Sequence, residues 1–164
     1  MKKERPRMIS TGVVAKNRRA QFDYAIGETV EAGLALTGAE VKSLRAGRAN
    51  ISDGYAEPDS KGFVLVNVSI GEYSKSDAFR KREEKRPRRL LLNKPEIRRL
   101  FSEFNKERAT IVPLRLYFNA RGIAKVLLGV GRGKTLIDKR EAIKRREWDR
   151  EKQRIMRINK GGKQ

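Results

Sequence analysis

Gly129-Val-Gly-Arg-Gly-Lys-Thr135 is the segment of this 164-residue chain that most invites a catalytic reading. A phosphate-cradling P-loop needs four residues between its first glycine and the Gly-Lys pair, which would require glycine at position 128, where Leu128 stands. No apolar helix follows to bring its N-terminus onto a phosphate. The run is expected instead to be a flexible, basic hinge whose backbone and Lys134 can approach an RNA backbone. Glu31, Asp53 and Glu57 are the carboxylates that could hold Mg²⁺ for RNA cleavage, but they form no D-x-D-like pair or acidic cluster. The chain contains no histidine and no cysteine. It therefore lacks an imidazole base, a thiolate nucleophile, zinc sites of the usual kind and disulfides. No enzyme activity, metal or cofactor is expected.

What the composition does favour is binding. Forty Lys and Arg against twenty Asp and Glu give a formal charge of +20, which attracts polyanions over long range and releases counterions when phosphates are neutralised. RNA is the expected partner. Glu31 is unusual in this setting, as an acid on the outer face of a strand. Two readings stay open for it: a salt bridge to a neighbouring Lys or Arg, or an acceptor for the amino groups of guanine or cytosine. Phe22, Tyr24, Tyr55 and Tyr117 could stack on unpaired bases or belong to the core. Trp148 lies where no core is available and reads as an anchor for an external surface. A structural component of the ribosome would share this size and charge and is the main competing class. Met1–Arg7 is basic, but Met8–Ala15 is too short and polar for a signal-peptide core, and no stretch approaches the roughly 20 apolar residues that span a bilayer. A cytoplasmic protein with no membrane partner is expected.

The elements that must position these residues are legible as periodicities. Residues 1–19 read as a basic arm. Phe22, Tyr24 and Ile26 alternate as a strand, Gly27-Glu28 reads as a turn, and Thr29–Leu36 places Val30, Ala32, Leu34 and Leu36 on one face. Thr37-Gly38-Ala39-Glu40 is a capping box opening a short helix that buries Val41 and Leu44 and ends at Gly47. A strand over 49–57 leads to a turn at Pro58–Gly62. Another strand over 63–70 puts Val64, Val66, Val68 and Ile70 together, and 75–89 reads as a charged loop. Asn93-Lys94-Pro95-Glu96 starts a helix with Ile97, Leu100, Phe101 and Phe104 inward. A hairpin turns at Asn119–Gly122, with Val112, Leu114, Leu116 and Phe118 facing Ala124, Val126, Leu128 and Val130. Short antiparallel strands with two short helices predict a mainly β fold, an OB-type barrel over 20–131 with flanking helices. The tail, 132–164, has helix formers and pairs such as Glu141 with Arg145, Glu147 with Arg150 and Glu151 with Arg154. Its apolar residues are too sparse to form a stripe, so it is expected to be disordered when free and helical on a partner.

Asn17-Arg-Arg-Ala20, the block Glu31 to Asn50, Asp53, Tyr55, Arg89-Leu-Leu-Leu-Asn93, the hairpin Leu116–Gly129 and the tail segments Asp138-Lys-Arg140 and Arg146-Glu-Trp148 together resemble the SsrA-binding proteins (small protein B). The resemblance implies an OB-type barrel that binds the tRNA-like domain of transfer-messenger RNA and brings it to stalled bacterial ribosomes, with elongation factor Tu an indirect partner. It implies a tail that becomes helical in the empty mRNA channel beside the decoding region. By the same resemblance Asn17, Arg18, Arg19, Phe22, Tyr24, Glu31, Lys42, Arg45, Tyr55, Leu91 and Lys125 would serve RNA binding. Lys134, Asp138, Lys139, Arg140, Ile143, Trp148 and Met156 would belong to the ribosome-engaging tail. Phe22 stands where many members carry His, Gly54 replaces a common Ser, Thr135 a common Lys, and Ile137 a usual Tyr or His. The loop Phe79–Lys85 lacks the family's usual Asn-His pair.

Overall fold

The computed structural model of the protein describes residues 8–71 and 84–161. Its elements run β1 (Gly12–Lys16), α1 (Ala20–Asp23), β2 (Tyr24–Leu34), α2 (Gly38–Arg45), β3 (Ala49–Asn50), β4 (Tyr55–Asp59), β5 (Gly62–Val66), β6 (Ser69–Ile70), β7 (Arg88–Leu91), α3 (Lys94–Phe104), β8 (Ala109–Phe118), β9 (Ala124–Gly133) and α4 (Leu136–Gly161). Every pairing is antiparallel, and the order β8-β4-β5-β7-β2-β9 closes because β9 also pairs with β8. A closed sheet leaves few free edges and gives every strand one inward face. β1 lies outside that ring as an extra strand on β8, so the expected basic arm is partly structured.

The long strands β2, β8 and β9 supply most of the core. Val30, Ala32 and Leu34 meet Ala124, Val126, Leu128 and Val130, all buried, as the alternation predicts. Elsewhere the phase slips. Asn67, in the left-handed region at φ 56°, separates β5 from β6. Phe63 and Leu65 are therefore buried before it, and Val68 and Ile70 after it, whereas Val64 and Val66 are half-buried. A bulge between Pro113 and Arg115 likewise turns Leu114 out of the row of Leu116 and Phe118. Gly27-Glu28 is a bulge within one continuous strand, because β2 keeps pairing with β9 on both sides of it. Phe22 sits on the single helical turn α1, ahead of the strand expected to contain it. The strand expected over 49–57 is two short ones, and Pro58 stays within β4.

The glycine run is not a hinge. Gly129 and Gly131 are buried within β9. A Cβ on Gly129 would stand 2.9 Å from Ile26 Cγ2 and Leu114 Cδ1, and one on Gly131 would stand 2.9 Å from Tyr24 Cβ. Their missing side chains let neighbouring side chains close over the strand.

α3 packs against the barrel through buried Leu100 and through Phe101 and Phe104, whose rings lie 4.8 and 6.3 Å from the ring of Phe63. Its first turn is closed by Glu96 accepting the N–H of Asn93 at 2.8 Å. α2 forms as its capping box predicts: the Thr37 hydroxyl accepts from the Glu40 N–H, and Glu40 Oε2 accepts from the Thr37 N–H. It ends before Gly47, at φ 74°. The same Glu40 carboxylate takes Arg86 at 2.7 and 2.8 Å and Arg88 Nε at 2.9 Å. Arg88 is fully buried and also donates to the carbonyls of Val68, Arg86 and Glu84. The expected charged loop is thus a strand from Arg88 onward; its section over 72–83 lies outside the described residues, as does most of Phe79–Lys85.

Burial opposes ionisation of Glu40, but the hydrogen bonds from Arg86 and Thr37 and the charge of Arg88 outweigh it and hold the carboxyl below its ordinary 4.5. Glu40→Gln leaves Arg88 buried without its counter-charge and should cost about 3 kcal/mol in urea unfolding at neutral pH. A carboxyl lowered in the folded state contributes its stability above 4.5 and loses it as pH falls through the folded value. The gap between parent and variant should therefore be full above pH 4.5 and close in acid.

Candidate nucleic-acid interface

Strand register gathers the first group of candidate residues into a row. Leu91 on β7 pairs with Gly33 on β2, Gly33 with Lys125 on β9, Lys125 with Tyr117 on β8, and Tyr117 with Val13 on β1. Directly opposed residues share a face, and the chain neighbours Leu90, Ala32, Val126 and Leu116 are buried, so this row faces outward. Leu91 and Val13 stand at its two ends, 53% and 50% exposed. Glu31 lies two residues along β2 on the same face, where Tyr117 donates its hydroxyl to Oε2 and Lys125 Nζ stands 3.8 Å from Oε1. Both readings of Glu31 retain a physical basis: it is paired, yet half its side chain remains open to a ligand. Tyr117 and Val13 belong geometrically to this row and were not both foreseen. From sequence Tyr117 reads as a stacking ring or a core residue, not as a partner of Glu31, and Val13 lies in an arm without visible periodicity.

Burial, together with the hydrogen bond and negative charge of Glu31, pushes the Tyr117 hydroxyl up to about 12 despite the opposing charge of Arg115. It is a protonated donor at any physiological pH. α2 extends this end of the barrel. Lys42 is exposed, and the Arg45 guanidinium lies 5.6 Å from the Phe118 ring centre, with its buried Nε lacking a hydrogen-bond partner.

A second group sits at the other end of the strands. Lys125 and Gly133 are eight residues apart on β9, about 26 Å at strand rise. There Arg19, Asp23, Tyr24, Asp53 and Tyr55 line an open cleft of about 280 Å³. Asn17 belongs to this end but not to its surface. It is 6% exposed, accepting the Ala20 N–H at 3.0 Å and donating to the Pro113 carbonyl at 3.1 Å, so its amide fixes the turn into α1. Arg18 and Arg19 are exposed beside it, Arg19 lying 3.6 Å from Asp23.

The tail starts from the same end. Thr135 caps α4: its N–H and hydroxyl donate to Asp138 Oδ2 at 3.1 and 2.7 Å, and its hydroxyl accepts the Asp138 N–H at 3.3 Å. These bonds hold the Asp138 carboxyl below its ordinary range. Asp138, expected to engage a partner, is thus occupied in forming the helix. Arg140, Ile143, Trp148 and Met156 are exposed, Trp148 by 71%. The ion pairs expected for Glu141, Glu147 and Glu151 do not close within the described residues. The helix expected on a partner spans Leu136–Gly161, and the Thr135–Asp138 cap closes its first turn.

The model of the SmpB protein family matches residues 14–158. The chain belongs to the SmpB family. It is 53% identical to the SsrA-binding protein of Rhodospirillum rubrum, over 92% of this chain and 94% of that protein. It is 54% identical to the SsrA-binding protein of Methylobacterium sp. (strain 4-46), over 88% and 92%. A protein chain in a solved structure described as tmRNA-SmpB and the bacterial ribosome superposes with a TM-score of 0.64 at 44% identity, covering 82% of this chain and 94% of that one. SmpB membership sets the antiparallel barrel in a known architecture. Among the described residues no helix is long and apolar enough to cross a membrane.

Two measurements check the geometry. Titration of tyrosinate absorbance should show one step near 12, and Glu31→Gln should bring that step down toward the ordinary 10. A peptide of residues 132–164 should show little helix by circular dichroism.

Proposed function

We propose that this chain is a non-catalytic RNA-binding adaptor of trans-translation. In this reading it binds the tRNA-like domain of transfer-messenger RNA, delivers it to stalled ribosomes, and places α4 in the empty mRNA channel beside the decoding region. The supporting observation is the match of sequence and fold, over most of the chain, to SsrA-binding proteins and to a chain described with tmRNA on the ribosome.

The chemistry of the Glu31 row suits a folded RNA. RNA is recognised through backbone shape and through unstacked bases in loops. Glu31 offers a carboxylate acceptor to base amino groups, Tyr117 a hydroxyl held as donor, and Lys125 a cation for phosphate. Leu91 and Val13 give apolar contact at the two ends of the row. Lys42 and Arg45 add charge from α2. Tyr24, Tyr55, Arg18 and Arg19 form a second RNA-facing surface at the tail end. Peptide-bond chemistry is left to the ribosome, elongation factor Tu meets the RNA rather than this chain's site, and the setting is the cytoplasm.

Sequencing RNA that copurifies with the protein should return transfer-messenger RNA, and an unrelated population would overturn the reading. Glu31→Ala should weaken binding about tenfold or more, the scale of one base-specific contact. Truncation after Gly133 should keep RNA affinity within a few-fold and abolish peptide tagging, whereas joint loss of both would contradict the division between barrel and tail.

A further inference from the structure

Glu31 and Tyr117 meet across a strand that separates them. Glu31 on β2 pairs with Leu127 on β9, whereas Tyr117 on β8 pairs with Lys125, two residues along β9. The two side chains therefore span β9 between them, a reach of two strand spacings or about 10 Å. They join where the Tyr117 hydroxyl donates to Glu31 Oε2. The other carboxylate oxygen, Oε1, stands 3.8 Å from Lys125 Nζ, too far for a hydrogen bond. The Glu31 side chain is still 52% exposed. Beyond Lys125 the surface is flat: Gly33 has no side chain, and a Cβ there would stand 3.2 Å from Leu91 Cβ. A glutamate turns about three single bonds, and here it has two competing neighbours, a neutral donor and a cation.

We propose that Tyr117 is a positioning residue, whose hydroxyl holds the Glu31 carboxylate off Lys125 and keeps it available as an acceptor for a bound base. The hydroxyl has one proton, and that proton goes to Oε2, so Tyr117 acts through Glu31 rather than by donating to RNA. A carboxylate has about four lone-pair sites; the hydroxyl takes one and leaves three for the amino hydrogens of a base. Without the hydroxyl, the strongest neighbour of Glu31 is the Lys125 ammonium. Closing the remaining gap into a direct ion pair would turn the acceptor away from a ligand. A phenol suits this task because it fixes the carboxylate without cancelling its charge. It stays protonated throughout the physiological range, since its deprotonation is pushed up to about 12. That the bound molecule is an RNA rests on the function proposed above; the orientation of Glu31 does not.

Tyr117→Phe removes the hydroxyl and keeps the ring. In the RNA-free full chain, the vicinal side-chain couplings of Glu31 by NMR should report one rotamer in the parent and averaging in Tyr117→Phe. With the tRNA-like domain of transfer-messenger RNA as probe, Tyr117→Phe should weaken binding about five- to tenfold, the scale of one misplaced base contact. Binding of an unrelated RNA of the same length should change by less than about twofold, because phosphate contacts carry it. In the Glu31→Ala background, Tyr117→Phe should also cost less than about twofold, since nothing is left to position. Losses that multiply in the double variant overturn the proposal, because the hydroxyl would then touch the RNA itself. Parent-like affinity or parent-like couplings in Tyr117→Phe also overturn it. Equal weakening toward both RNAs does the same, as the mark of a damaged fold. A parent that ignores the tRNA-like domain overturns the function proposed above, and the couplings, read without RNA, then decide the role of Tyr117 on their own.

Discussion

A single carboxylate governs how the barrel closes. β7 is four residues long and holds the sheet together between β5 and β2 with two residue pairs on each side. So short a ladder supplies little cooperativity of its own. Glu40 compensates by binding Arg86 and the fully buried Arg88 at the entry to that strand, while the same oxygens close the first turn of α2. Strand β7 and helix α2 are therefore fixed by one group. Leu91 at one end of the Glu31 row, and Lys42 and Arg45 beyond it, take their positions from that tie. A buried guanidinium tolerates no loss of its partner, so the arrangement is specified rather than merely favoured.

Around this closure the three long strands act as struts between the two ends of the barrel. At one end, β2, β8 and β9 display Glu31, Tyr117 and Lys125 within contact of one another. At the other, the same strands deliver the Tyr24 cleft and the root of α4. Buried Gly129 and Gly131 sit where β2 and β8 side chains cross over β9, so the strand is stiff where a hinge was expected. Stiffness there gives the tail a fixed point of departure.

Several parts of the fold were readable because local chemistry decided them. The Thr37–Glu40 capping box, the Glu96 cap of α3, the left-handed Gly47 and the inward alternation of β9 depend on residues within one or two turns of each other. Other parts were hidden because a distant partner decided them. Asn67 and the Pro113 bulge reverse strand phase, and no periodicity announces a reversal. Arg88 looked like one more loop cation, since its burial depends on Glu40, 48 residues away in sequence. Phe22 read as a strand aromatic and Asn17 as a surface contact. The first is carried on α1 ahead of that strand, and the second is turned inward to satisfy backbone groups that only meet in the fold.

The sequence by itself determined the class of partner and the absence of certain chemistry. Charge of +20 and the lack of His and Cys act through composition, and no fold can alter them. It also carried a motif pattern long enough to place the chain in its family. Only the tertiary structure decided which residues work together. Glu31, Tyr117 and Lys125 are far apart in the chain and become neighbours through strand register. Arg88 and Glu40 meet only where β7 joins the sheet. The physical reason is the same in both cases: pairing and burial are set by contacts between distant segments, and those contacts exist only once the barrel has closed.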